Sequence, residues 1–304
     1  MRWYELNKTL TAVEHEPGAD TAAVLLMTSD ELSHCAPIAG LERTLHHTPQ
    51  ARDAKVCKAE VRSDCMAGTL VVPQSWKNGE ALRCGYLVTA RRVVLVDDTG
   101  VIESHLKHIM REKHAVNGGV GLFLYYFFEN LIAKDLHHLE EIEDRAQGLE
   151  DDVLSGRLDN FNTPMTRLRK ETMAYFRYYS QLDDVACELH ENENGFFTES
   201  EQRHFRLFEE RVIRLREEAQ LLREYCTQLQ TMFQAEIDIR QNRIMKILTI
   251  VTTIFLPLSL AVYWLCPKWL RNTVLAAFSL LFFAWAGLKG AAILVLLAGI
   301  NWLG

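Results

Sequence analysis

Acidic residues vanish from the last part of this 304-residue chain: after Asp238 there is no Asp or Glu. From Ile244 to Gly304 the only charges are Lys246, Lys268, Arg271 and Lys289. A run this rich in Leu, Ala, Phe and Trp would precipitate as a water-facing surface, so lipid is its expected surroundings. Cysteine is also sparse: the seven (Cys35, Cys57, Cys65, Cys84, Cys187, Cys226 and Cys266) form no C-x-x-C pair. That excludes a zinc knuckle or a disulfide framework and fits a reduced compartment. The segment Met1–Leu6 lacks the apolar core of a signal peptide, so the C-terminal segments are expected to direct membrane insertion. Neither a phosphate loop nor a dinucleotide fingerprint occurs. No nucleophile–base–orienter spacing stands out. His46-His47 and His137-His138 are adjacent pairs, which on a helix point about 100° apart and cannot chelate one metal. An enzyme is not indicated.

What remains is strongly acidic. Four of the 33 basic residues lie beyond Ile244, leaving 29 against 40 acids, a charge of about −11 on the body. Such a body repels nucleic acid and anionic headgroups and offers oxygen ligands to hard cations.

Residues 1–117 read as a mixed α/β domain. Strands are expected at Ala22–Met27, Val56–Val61, Thr69–Val72, Leu82–Thr89 and Val93–Val96, with helices near Ile38–His47 and Val101–Lys113. Residues 118–197 read as an acidic helical hairpin. Ile132, Leu136, Leu139, Ile142, Ala146, Leu149 and Val153 form one apolar face, and Glu140, Glu141, Glu143, Asp144, Glu150, Asp151 and Asp152 the opposite one. These acids are either a weak Mg2+ site or solvated helix surface. After a turn around Gly156 and Asp159–Pro164, the second helix carries Leu168, Tyr175, Tyr179, Leu182, Ala186 and Leu189.

Residues 198–243 form a stalk. Thr198 and Glu201 have the form of a capping box. Phe205, Phe208, Val212, Leu215, Ala219, Leu222, Cys226, Leu229 and Phe233 then alternate at spacings of three and four. No Gly or Pro interrupts the chain from Thr198 until Pro257. Such a helix, continued to Leu265, would be roughly 100 Å long and must pack against other helices. Residues 244–304 are the membrane domain: a first span at about 244–265, a loop at 266–272 and a second span at about 273–292, with Lys289 snorkelling to the inner interface. Arg240, Arg243 and Lys246 place the cytoplasm at the entry of the first span. Met245, Leu248, Thr252, Leu256, Ser259 and Tyr263 share one stripe, which suits a pore lining or a helix–helix seam.

The run Asn242-Arg243-Ile244-Met245-Lys246-Ile247-Leu248-Thr249, continued by Phe255-Leu256-Pro257-Leu258-Ser259, closely resembles the first transmembrane helix of CorA-type metal-ion transporters. The resemblance covers roughly residues 120 to 262. It implies an α+β membrane protein assembled as a homopentameric funnel in a lipid bilayer, in bacteria the inner (plasma) membrane, with the N-terminal body cytoplasmic. It implies a divalent cation, Mg2+ or Zn2+, as the transported or regulatory ion, with no other cofactor. Asn242 would ring the cytoplasmic mouth, and Met245, Leu248, Thr252, Leu256, Ser259 and Tyr263 would lie along the conduit.

The chain departs from the family at the outer end. Where the family's helix closes in Tyr-Gly-Met-Asn, this chain has Leu265, Cys266, Pro267 and Lys268, so Cys266, Pro267 and Lys268 stand at the filter positions. Five copies of Lys268 and Arg271 would put about ten positive charges at the outer mouth, which attract anions. A pore of altered selectivity, passing anions or monovalent ions, and a non-conducting scaffold or sensor are the competing expectations.

Overall fold

The computed structural model describes residues 1–73, 82–112, 116, 119–157 and 159–286. The chain divides into two compact units, Met1–Met232 and Phe233–Gly304. Described residues of the segments 1–117 and 118–197, together with the stalk as far as Met232, thus pack into one unit.

Seven strands build a mixed sheet in the order β2-β1-β3-β7-β6-β5-β4. They are β1 (Arg2–Leu6), β2 (Leu10–Val13), β3 (Ala23–Met27), β4 (Lys58–Val61), β5 (Met66–Val72), β6 (Leu82–Val88) and β7 (Arg92–Val96). β3 and β7 pair in parallel at the centre, and every other neighbouring pair is antiparallel. All residues of both central strands are buried, which is why their sequences, Ala-Val-Leu-Leu-Met and Arg-Val-Val-Leu-Val, run almost continuously apolar. Trp3, Leu25, Met27, Val94 and Val96 join Ile38, Leu41 and Leu87 in one apolar cluster.

Two expectations fail here. Residues Ile38–His47 form no helix beyond a single 3-10 turn at Leu45–His47. Pro37, Gly40 and Pro49 punctuate the segment, and Gly40 takes a left-handed φ of +79°, so Ile38 and Leu41 anchor a loop to the core instead. Leu136, assigned to the apolar face of the acidic helix, is 55% exposed. The expected single helix is broken at residues 133–134: Ile132 is buried but ends the preceding helix, Val120–Ile132, and Leu136 falls off the face that resumes at Leu139.

The helices are α1 (Ser29–Ser33), α2 (Val101–Glu112), α3 (Val120–Ile132), α4 (Asp135–Leu154), α5 (Asn162–Glu191), α6 (Glu199–Leu265) and α7 (Arg271–Ala286). α5 stops at Asn192, whose left-handed backbone ends the helix while its side-chain amide bonds both the carbonyl and the amide of Phe197. α6 begins with the expected capping box: Glu201 N–H donates to Thr198 Oγ1 at 3.3 Å, and Thr198 N–H to Glu201 Oε2 at 2.9 Å. Glu201 Oε1 also accepts from Leu122 N–H at 3.2 Å, so one carboxylate caps α3 and α6 together. Gly121 leaves room for it, since a Cβ there would lie 2.7 Å from Glu201 Cδ.

All nine residues of the three-four stripe on α6 are buried. Before Met232 that stripe faces this chain's own helices. Phe208 meets Phe128 of α3 with ring centroids 5.4 Å apart, and Thr172 of α5 lies against Cys226. Ion pairs Arg211–Glu129 and Arg216–Asp183 flank it, and the Arg223 guanidinium sits 4.3 Å from the Phe176 ring centre.

Candidate functional site

The second unit comprises the C-terminal part of α6 from Phe233, a short connection and α7. In this single chain Met245, Leu248 and Leu256 are 63%, 56% and 63% exposed, and Asn242 and Thr252 are exposed as well. Helix α6 is long and apolar enough to cross a membrane, and five such groups are tolerated there only where lipid, water or other helices meet them. A second stripe of α6, Val251, Phe255 and Val262, is half-buried and faces α7, where the Phe255 and Phe278 rings lie 5.2 Å apart. Ser259 and Tyr263, the last two members of the expected stripe, are half-buried.

Hydroxyls on α6 are tied to their own helix. Thr249 Oγ1 donates to the Met245 carbonyl at 2.8 Å, Ser259 Oγ to Leu256 at 2.9 Å, and Thr252 Oγ1 lies 3.0 Å from the Leu248 carbonyl and 3.1 Å from that of Thr249. A hydroxyl has one proton. With it committed to the backbone, Thr252 turns only acceptor lone pairs outward. Pro257 has no N–H, which leaves the Thr253 carbonyl, one turn back, without its helical donor.

At the connection between α6 and α7, Cys266 N–H continues the helix to the Val262 carbonyl at 3.1 Å, and Pro267 opens a turn closed by Leu270 N–H at 3.0 Å. Arg271 does not point freely outward: its Nε donates to the Cys266 carbonyl at 3.3 Å, and its guanidinium lies 5.2 Å from the Tyr263 ring centre. Lys268 and Trp269 are exposed. Lys289 and the end of the second span lie outside the described residues.

In the first unit the acidic helix face is dispersed. Glu140 reaches His137 at 3.4 Å, Glu141 reaches His138 at 3.7 Å, and Glu143 accepts from Gln147 at 3.4 Å. Glu150 accepts from the Tyr225 hydroxyl, Asp152 pairs with Arg157 at 2.6 Å, and Asp144 and Asp151 face solvent. Among the described residues of one chain, no three His, Cys, Asp or Glu groups come together as a metal set.

Sequence reasoning missed a buried polar network beside that face. Glu171 of α5 accepts from His138 at 3.1 Å and from Arg145 at 2.8 Å. Burial pushes its carboxyl pKa up, but those two hydrogen bonds and charges outweigh it and hold it below the ordinary range. Asp135 lacks such help: burial pushes it up to about 6, and the Tyr179 hydroxyl and His138 offset only part. The signal available in sequence was Glu171 on the otherwise apolar face of its helix.

Comparison with known proteins follows the same outline. The family model described as CorA-like Mg2+ transporter protein matches residues 29–262. A cobalt/magnesium transport protein CorA from Methanocaldococcus jannaschii is 27% identical over 137 residues, 45% of this chain and 43% of that protein. The aligned region thus spans less than half of that relative. The complete structure of the CorA magnesium transporter from the same organism superposes with a TM-score of 0.72 at 17% identity, covering 92% of this chain and 95% of the other. The structure of the full-length CmaX protein gives 0.69 at 18% identity, covering 94% and 96%. At these identities the structural likeness is one of fold.

Proposed function

The chain belongs to the CorA-like Mg2+ transporter family, and from that premise we propose that it is a membrane channel or transporter for a divalent cation, Mg2+ or Zn2+. The observation that carries the reading is the family match through residue 262, which takes in the whole stripe from Asn242 to Ser259. The working assembly is a homopentamer in a bacterial inner membrane. Residues 1–243 are cytoplasmic, on the side of Arg240, Arg243 and Lys246. Five copies of the exposed stripe face one another around a conduit, and α7 lies behind, against Val251 and Phe255.

The side chains divide the work. A hydrated dication keeps its waters and presents their protons outward. The outward lone pairs of Thr252 suit that surface, as do the carboxamide oxygen of Asn242 and the unpaired Thr253 carbonyl. Met245, Leu248 and Leu256 form apolar rings that exclude a hydrated ion when narrow and admit it when the helices tilt apart. Arg271, held against Tyr263 and the Cys266 carbonyl, fixes the outer turn that carries Cys266, Pro267 and Lys268. Its charge is partly absorbed there, which leaves Lys268 as the exposed cation of the outer turn. The acids from Glu140 to Asp152 contribute a negative field to the body, and Mg2+ association with them is weak.

The test is uptake of Mg2+ and Zn2+ into vesicles containing the purified protein and an entrapped indicator, together with reversal potentials in asymmetric salt. Saturable uptake with cation-selective potentials is expected, strengthened by Lys268→Asn. Uptake no faster than in protein-free vesicles, or anion-selective currents, would overturn the proposal. Native mass spectrometry checks the pentamer.

A further inference from the structure

The first unit contains a cavity of about 660 Å³ that the transport reading does not use, lined by Gly40, Arg43, Thr44, Asp64, Arg91 and Arg92 among others. That volume lies within the range of roughly 300–1,000 Å³ common to small-molecule sites. Arg92, the first residue of the central strand β7, is 1% exposed. Its Nη2 donates to the carbonyls of Pro17 and Gly18, both at 2.8 Å, and its guanidinium lies 5.4 Å from the Trp3 ring centre. Its Nε and Nη1 are buried with no hydrogen-bond partner. No carboxylate among the described residues forms an ion pair with it. Glu16, which acts on it through its charge, spends Oε1 on the Ala39 amide at 2.9 Å.

A guanidinium does not give up its proton in a protein, and a buried charge with unused donors is expensive to keep. The cavity wall is arranged to relieve that cost. Gly40 carries no side chain, so only backbone lies beside Arg92 Nε, where a Cβ would stand at 4.0 Å. Thr44 is buried, and its hydroxyl also lacks a partner. Arg43 is exposed beside it. Of the three guanidiniums on the wall, Arg91 is already paired with Asp20, which leaves Arg92 and Arg43 facing Asp64 and Glu42, and Glu42 has Oε1 bound to the Gly40 amide at 3.1 Å. Phe196, half-buried, supplies an aromatic surface to the same cavity.

We propose that this cavity binds a phosphate-bearing anion. Its oxygens take the unused Nε and Nη1 donors of Arg92, the Thr44 hydroxyl and the Arg43 guanidinium. A phosphate supplies several acceptors in one compact group and matches guanidinium donors closely. Inorganic phosphate alone fills a small part of the space. A phosphate ester with a planar group fills the remainder, with that group on Phe196.

Calorimetric titration of the full-length detergent-solubilised protein tests this, with inorganic phosphate and adenosine monophosphate as probes and chloride at matched ionic strength as control. Both probes are expected to bind saturably, the nucleotide about tenfold more tightly through stacking on Phe196. Arg43→Gln is expected to weaken either probe about tenfold, the loss of one charge-assisted contact. Thr44→Val should weaken it a few-fold, and Ala90→Trp, which fills the cavity from an exposed position, should abolish binding. These variants spare Arg92, whose removal could unfold the sheet. Equal affinity for the two probes would uphold the phosphate site and assign it to the free ion. Heats no different from the chloride control, or wild-type affinity in both Arg43→Gln and Ala90→Trp, would overturn the proposal.

Discussion

Replacing Asp135 by Asn should make the cytoplasmic unit more stable at neutral pH, although it removes a charge from the first turn of α4, where the helix dipole favours one. The carboxyl is 8% exposed, and its Oδ2 has no partner among the described residues. His138 lies on its own helix, and Tyr175, Tyr178 and Tyr179 face it from α5. Its pKa is raised from the ordinary 3.8 to about 6, so between those values the folded state binds a proton that the unfolded state has released. Stability therefore falls as pH rises through this window. At 1.36 kcal/mol per pH unit, the penalty above pH 6 is about 3 kcal/mol. The Asp135→Asn variant escapes it, retaining only the smaller cost of a buried amide, so the expected gain at pH 7.5 is about 2–3 kcal/mol. For a unit of this size that raises the melting temperature by roughly 5–10 °C. Thermal melting of the solubilised protein and of Asp135→Asn, followed by near-ultraviolet circular dichroism from pH 4 to 8, gives the comparison. The two curves should converge near pH 4 and separate above pH 6. A gap of constant size across the range, or a variant less stable at pH 7.5, would refute the reasoning.

Three further outcomes are expected. Phe208→Ala, which empties the contact with Phe128, should cost about 3–5 kcal/mol in denaturant unfolding, whereas Leu207→Ala, 54% exposed next to it, should stay within about 0.5 kcal/mol. Glu201→Ala removes the shared cap of α3 and α6 and should cost about 1–2 kcal/mol, with faster hydrogen exchange at the Leu122 and Thr198 amides. Thr252→Val should slow cation uptake about tenfold while Thr252→Ser retains most of it. Equal slowing by both would assign the role of Thr252 to shape and not to its oxygen.

The parts of the fold that could be read from sequence were those in which one period persists. β3 and β7 are apolar because both faces of the sheet are covered, and the stripe from Phe205 to Phe233 is regular because a single helix face stays buried along its length. β1 and β2 escaped notice because Arg2–Leu6 mixes charged and aromatic residues and Leu10–Val13 has only four residues. Ile38 and Leu41 looked helical because a loop pinned to a core at two points has the same spacing as one helical turn. The candidate pore stripe could be named from its spacing, but its rotation could not. The contact of Phe255 with Phe278 of α7 determines which side of the helix remains free, and that contact is absent from any local pattern. Arg92 was hidden for a similar reason: beside Ala90 and Arg91 it reads as part of a solvent-facing hairpin turn, and only the fold encloses it as the first residue of β7.

The parallel pairing of β3 with β7 also has a consequence for biosynthesis. Its register joins Ala23 to Arg92 and Met27 to Val96, so the central strand must wait for a partner about 70 residues further along. At roughly 5–20 residues per second that delay is about 4–14 seconds on the ribosome. β1 emerges before β3 and can cover one of its edges, while the other stays open throughout the wait. An apolar strand held open this long is a natural target for a nascent-chain chaperone, and substitutions that slow elongation between the two strands would lengthen its exposure without altering the folded protein.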